Sequence, residues 1–207
     1  MVELSKRLKN IENSASMQMM DKVARLKSEG LKIIDLAVGE PDFETPDVIK
    51  QAAFDAISKG CTKYTSARGI AQLREEICGF LQAKKNVETT PENVVVTPGA
   101  KQAIFYALAS ALDEGDEVLV PEPSWVSFRD IVKINGGKPV AVPAAKDREF
   151  IPPLSELAEK ITARTKAIIL NNPTNPTGAM YSKKYVSELI ELCEKRDVFL
   201  IADEIYS

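Results

Sequence analysis

The sequence holds no histidine among its 207 residues. That absence excludes a Ser-His-Asp triad, a Cys-His nucleophile pair and any histidine-based metal site within this span. Difficult chemistry would then fall to a cofactor, or to a lysine, tyrosine or carboxylate acting alone. Cysteine is scarce as well. Cys61, Cys78 and Cys193 are odd in number, widely separated and form no CxxC. They argue against a zinc site or a disulfide framework, and the expectation is of reduced, partly buried thiols with no bound metal. No apolar run reaches the ~18 residues of a membrane span, so no membrane partner is expected. Residues Met1–Glu12 are charged and lack the apolar stretch of a secretory signal, which points to the cytoplasm. Net charge is only −3, and Lys and Arg form no cluster interleaved with aromatics. Nucleic acid is therefore not an expected partner.

What is present is an ordinary globular composition, 44% hydrophobic and 28% charged. Thr45-Pro46 reads as a helix start, with a threonine cap and proline in the first turn. Ile49, Ala53, Ala56 and Ile57 then share one face, and Gly60 fits the stop. A second helix after Gly69 carries Ile70, Leu73, Ile77, Phe80 and Leu81 on its apolar stripe. Val94-Val95-Val96-Thr97 reads as a short strand, followed by a turn at Pro98-Gly99 and a helix with Ile104, Leu108 and Leu112 aligned.

Four further apolar runs follow, at 117–121, 139–142, 167–170 and 198–202. Each is rich in Val, Ile and Leu on consecutive positions, the mark of strands buried on both faces of a parallel sheet. Helical stretches separate most of them, such as 182–196 with Val186, Leu189, Ile190 and Cys193. The fold class is α/β, a mostly parallel sheet with helices on both faces. A boundary is expected near Pro46, with residues 1–45 as an arm and partial second domain and 46–207 as an incomplete large domain. The last apolar run is followed by only five residues, to Ser207, without a closing helix, and the chain reads as unfinished.

Open α/β sheets bind ligands at the carboxyl ends of their strands, so the residues there are the candidates. Gly99-Ala100-Lys101 opens a helix, where free N–H groups make an anion site and a glycine permits close approach; a plain connection is the bland alternative. Trp125, the sole tryptophan, stands where its ring could stack on a planar ligand or merely line the rim. Asn171-Asn172-Pro173-Thr174-Asn175-Pro176-Thr177-Gly178 is a rigid loop dense in amide side chains, and it is the most specific string in the chain. Asp203 sets a carboxylate at the mouth of a strand, either as a ligand contact or as a helix cap.

Taken together, these strings resemble class I aminotransferases of the fold-type I pyridoxal-phosphate enzymes, above all the bacterial and archaeal aspartate aminotransferases. Also matching are Val38-Gly39-Glu40-Pro41-Asp42-Phe43, Lys63-Tyr64, Arg68-Gly69-Ile70, Leu73-Arg74-Glu75 and Ala202-Asp203-Glu204-Ile205-Tyr206, in family order over nearly the whole chain. The resemblance implies pyridoxal 5′-phosphate as cofactor. Asp203 would face its ring nitrogen, Tyr206 and Asn175 its phenolic oxygen, and Trp125 its ring face. Gly99 and the amides of Ala100 and Lys101 would hold the phosphate. Asn175 would also reach the substrate carboxylate, Gly39 would line the substrate side with Trp125, and Tyr64 would reach the phosphate of a second subunit in a homodimer. Cis peptides at Glu122–Pro123 and Asn175–Pro176 follow from the same likeness.

Two departures qualify it. Several relatives carry a hydroxyl in the phosphate loop where this chain has Ala100. The lysine that binds the cofactor covalently is expected beyond Ser207, so the span alone is expected to be inactive. The implied reaction is amino transfer, with aspartate and 2-oxoglutarate as substrates. An aromatic or alanine aminotransferase or a carbon–sulfur lyase would use the same residues. If the chain were naturally complete, it would instead be a non-catalytic protein that binds pyridoxal phosphate or dimerises.

Overall fold

The computed structural model describes residues 3, 5, 8, 11, 15–36 and 39–207, with backbone only at 15–17. Val38, at the head of the Val38-Gly39-Glu40 string, lies outside the described residues. Packing divides the chain into two units, Asn13–Thr97 and Pro98–Ser207 with Met1–Glu12, and Pro46 falls inside the first of these.

The Asn13–Thr97 unit contains helices α1 (Ala15–Ser28), α2 (Asp47–Ser58) and α3 (Ala71–Phe80). The start of α2 differs from expectation: Pro46, at φ −53° and ψ 140°, is itself the cap, and no side chain caps the helix. The Pro46 carbonyl accepts the N–H groups of Ile49 and Lys50, so the helix begins one residue later than the threonine reading gives. Gly60 does end it, at φ +78°. The apolar stripes of α2 and α3 are not buried. Ile49, Ile57 and Phe80 are 56%, 62% and 56% exposed. An amphipathic pattern states which face a helix could bury, and only a facing surface makes that burial real.

Residues 94–97 are the second correction, for they form no strand. A strand exists by its ladder, and the Val96 N–H instead goes to the Arg68 carbonyl at 2.9 Å. Val94 is nonetheless buried. The guanidinium groups of Arg68 and Arg74 donate to the carbonyls of Glu92 and Pro91, holding the 3₁₀ turn Pro91–Asn93 against the start of α3.

The second unit is a doubly wound sheet. Its elements run α4 (Ala100–Ala111), β1 (Glu117–Glu122), α5 (Ser127–Ile134), β2 (Lys138–Pro143), α6 (Leu154–Lys160), β3 (Thr165–Asn171), α7 (Lys183–Arg196) and β4 (Phe199–Asp203). All four apolar runs are strands, in the order β2-β1-β3-β4, and every pairing is parallel. The chain leaves β1 in one direction to make β2, then returns past β1 to lay down β3 and β4. Right-handed crossovers taken in opposite directions put their helices on opposite faces. The packing shows this. Val118 and Val120 of β1 and Ala167 and Ile169 of β3 bury against α4 and α5, through Ile104, Leu108, Phe128 and Val132. Their alternates Leu119, Ile168 and Leu170 bury against α6 and α7, through Leu157, Leu189 and Cys193. Ile190, expected on the buried stripe of α7, is 43% exposed. Ser182 caps α7 by accepting the Tyr185 N–H at 3.2 Å.

At the amino end of the sheet, Glu117 accepts from Lys138 Nζ at 3.0 Å and from Thr162 Oγ1 at 2.7 Å, tying the starts of three strands together. These two hydrogen bonds, from Thr162 and then Lys138, hold the Glu117 carboxyl below its ordinary value.

Candidate functional site

The reversal of strand order opens a crevice at the carboxyl ends of β1 and β3, where ligands of such sheets bind. Three segments meet the rim. Beyond β1 the chain passes a cis Glu122–Pro123 bond to Trp125. After β3 comes the Asn171–Gly178 loop with two cis bonds, Asn175–Pro176 as expected and Asn172–Pro173 in addition. Past β4 a tight turn carries Glu204, Ile205 and Tyr206.

Alternation along β4 decides where Asp203 points. Leu200 packs on the α6/α7 side and Ile201 on the α4/α5 side, so residue 203, two beyond 201, belongs with α4. Asp203 is 8% exposed, and its Oδ1 accepts the Ile205 N–H at 3.2 Å, which shapes the turn. It is the last residue of β4.

The start of α4 is at the same end of the sheet. Lys101 Nζ lies 4.8 Å from the centroid of the Trp125 ring, a cation–π contact that places the first turn of α4 beside the end of β1. Gly99 precedes the helix at φ +86°, no side chain caps it, and a Cβ built there would meet nothing within 4 Å. Orphan N–H groups at a helix start favour an anion. β4 is two strands from β1, about 10 Å by usual strand spacing. Asp203 and Gly99-Ala100-Lys101 thus share one face and one end of the sheet. Trp125 is half-buried, packed edge-on to Phe128 at 5.4 Å and 88°. It is a rim aromatic whose ring face is met by an ammonium.

The loop after β3 meets the turn after β4 where Asn175 Nδ2 donates to the Tyr206 hydroxyl at 3.3 Å. The structure therefore brings Asp203, Asn175 and Tyr206 together at the end of β3 and β4, and Gly99, Ala100, Lys101 and Trp125 at the end of β1. Gly39 and Tyr64 belong to the other unit, both exposed, Tyr64 fully so. Sequence reasoning missed the part played by Asn171, a buried amide bonded to both sides of the cluster, because only its place at a strand end marked it. Among the described residues no group of acidic, Cys or His side chains could hold a metal.

The sequence model of the family "Aminotransferase class I and II" matches residues 32–207. The chain belongs to that family. A probable aspartate/prephenate aminotransferase of Aquifex aeolicus is 41% identical over 98% of the chain, and the aspartate aminotransferase of Bacillus subtilis 40% over 99%. The solved aspartate aminotransferase of Thermus thermophilus with maleate superposes on the whole chain at a TM-score of 0.96 and 39% identity. An alanine aminotransferase from Pyrococcus furiosus reaches 0.92 at 36% identity over 99% of the chain. The chain spans about half the length of these relatives, 52% to 54%. Its parallel sheet with helices on both faces is the fold-type I aminotransferase architecture, and the family implies pyridoxal phosphate.

Proposed function

We propose that a family-length protein carrying this span is a cytoplasmic, homodimeric aminotransferase that uses pyridoxal phosphate to move an amino group between aspartate and 2-oxoglutarate. One observation carries the reading. A buried carboxylate and a helix start without a side-chain cap share one face and one end of a parallel sheet, and an amide–hydroxyl pair stands at that same end.

These features fit the group the family implies. The N–H groups of the first turn of α4, at Ala100 and Lys101, suit its phosphate, and the open space over Gly99 admits it. Ala100 brings no hydroxyl, so backbone donors carry that contact. Asp203 would face the ring nitrogen, where an adjacent anion favours the protonated form. Tyr206 accepts from Asn175 and still has its own proton to donate to the ring's phenolic oxygen. Trp125 would lie against the ring, and Asn175 would also reach the substrate's α-carboxylate. When bound, the cofactor supplies an electron sink for the substrate's Cα–H bond. Gly39 would line the substrate side by its backbone. The exposed Tyr64 would serve the phosphate of the second subunit. The maleate bound by the Thermus thermophilus relative is a small dicarboxylate, and it supports the acidic pair.

The test is a family-length protein reconstituted with pyridoxal phosphate. The expected results are a visible absorbance band and aspartate-dependent formation of glutamate, both weakened by Asp203→Ala. No band and no turnover of aspartate, alanine or aromatic donors would overturn the reading. The 207-residue chain by itself is expected to turn over none of them.

A further inference from the structure

Asn171 is the last residue of β3, paired in register with Asp203 at the end of β4, and it is 6% exposed. Its side chain uses both ends. Nδ2 donates to the Asp203 carbonyl at 3.1 Å, and Oδ1 accepts the Asn175 N–H at 2.7 Å. The same Asp203 carbonyl also accepts the Asn172 N–H at 3.0 Å, so the peptide that launches the turn to Tyr206 is held by two donors. The Asn171 carbonyl in turn accepts from the buried Thr174 hydroxyl at 2.8 Å, which folds the loop back on the strand end. A primary amide gives from its nitrogen and accepts at its oxygen, so one side chain can bond two separate backbone groups at once. Removing it would leave the part-buried Asn175 N–H without its acceptor and the Asp203 carbonyl with one donor of its two.

We infer that Asn171 is a positioning residue: it holds the Asn175–Tyr206 pair and Asp203 in one fixed arrangement, and so sets how the pair meets the phenolic oxygen of the bound cofactor. The inference rests on the pyridoxal-phosphate reading above. It differs from a general stabilising role because it acts through a named pair. Donors to that oxygen stabilise it as an anion, which favours loss of the proton beside it. A disordered pair therefore raises the pH at which the cofactor's visible absorbance changes.

The test compares family-length wild type with Asn171→Leu, loaded with pyridoxal phosphate, by absorbance against pH, cofactor titration and thermal unfolding of the cofactor-free protein. Asn171→Leu is expected to raise the absorbance midpoint by about one pH unit and weaken cofactor binding about tenfold. In an Asn175→Ala/Tyr206→Phe background the same substitution is expected to leave the midpoint unmoved. An unchanged midpoint in folded Asn171→Leu, or a full shift in the double-variant background, overturns the inference. Should Asn171→Leu not fold, Asn171→Ala is read the same way. Failure of both to fold makes the residue structural and also overturns it. A wild type without a cofactor band sinks the aminotransferase reading itself, which is a separate result.

Discussion

The side-chain amide of Asn175 reaches the hydroxyl of Tyr206 across 3.3 Å, joining residues 31 apart in the chain. Neither residue is placed by its own element. Asn175 follows the end of β3 and Tyr206 follows the end of β4, and the parallel pairing of Asn171 with Asp203 sets the two ends side by side.

That pairing predicts coupled behaviour. Asn175→Ala and Tyr206→Phe should each weaken pyridoxal-phosphate binding about three- to tenfold in a family-length protein. The double variant should fall short of the sum by about 0.5–1.5 kcal/mol. Titration followed by visible absorbance measures it, and strict additivity would show that the contact carries nothing.

Two glycines should respond differently to alanine. At Gly69, φ +96°, an added Cβ lies 2.8 Å from both Cβ and Cγ2 of Val96, a β-branched side chain with no room to turn aside. Gly69→Ala should cost about 2–4 kcal/mol in urea unfolding. At Gly99, φ +86° and ψ 162°, nothing lies within 4 Å, so only the backbone penalty of about 1–3 kcal/mol remains. Gly99→Ala should instead show itself as weaker binding of inorganic phosphate and of the cofactor.

Glu117 predicts an acid limb. Its carboxyl is held below the ordinary value of 4.5 by the Thr162 and Lys138 hydrogen bonds. A carboxylate depressed by folding contributes stability that is fully present above its unfolded value and is lost as pH falls through the folded one. Stability should thus be insensitive to Glu117 ionisation near pH 7 and decline below 4.5. Thr162→Val should flatten that decline, as read by unfolding at a series of pH values.

The thiols should react in order of exposure. Cys61 is exposed, Cys78 half-buried, and Cys193 buried with its thiol pushed up by desolvation. Alkylation at pH 8 followed by peptide mapping should label Cys61 first and Cys193 last, the latter only as the chain unfolds.

Much of this was legible along the chain. The four apolar runs announced a parallel sheet because strands buried on both faces leave no alternation, and all four are strands. The Asn-Pro loop and the Asp-Glu-Ile-Tyr segment stood out as strand-end strings. Other features were not legible. Val94-Val95-Val96-Thr97 has the composition of a strand and no ladder, since hydrogen bonding goes to Arg68. Ile49 and Ile57 have helical spacing and no cover. The ammonium of Lys101 lies over Trp125, a contact between residues 24 apart that no local pattern encodes.

The sequence by itself determined the local chemistry: which residues are apolar on consecutive positions, which stop a helix, and which carry a carboxylate or an amide at a strand end. These depend on side-chain type and on spacings of two to four residues, which a chain states directly. Only the tertiary structure decided that Asp203 points to the face of α4, that Asn171 bonds both Asp203 and Asn175, and that the loop and the turn meet. Those outcomes depend on strand order and register, set by packing summed over both faces of the sheet rather than by any one segment.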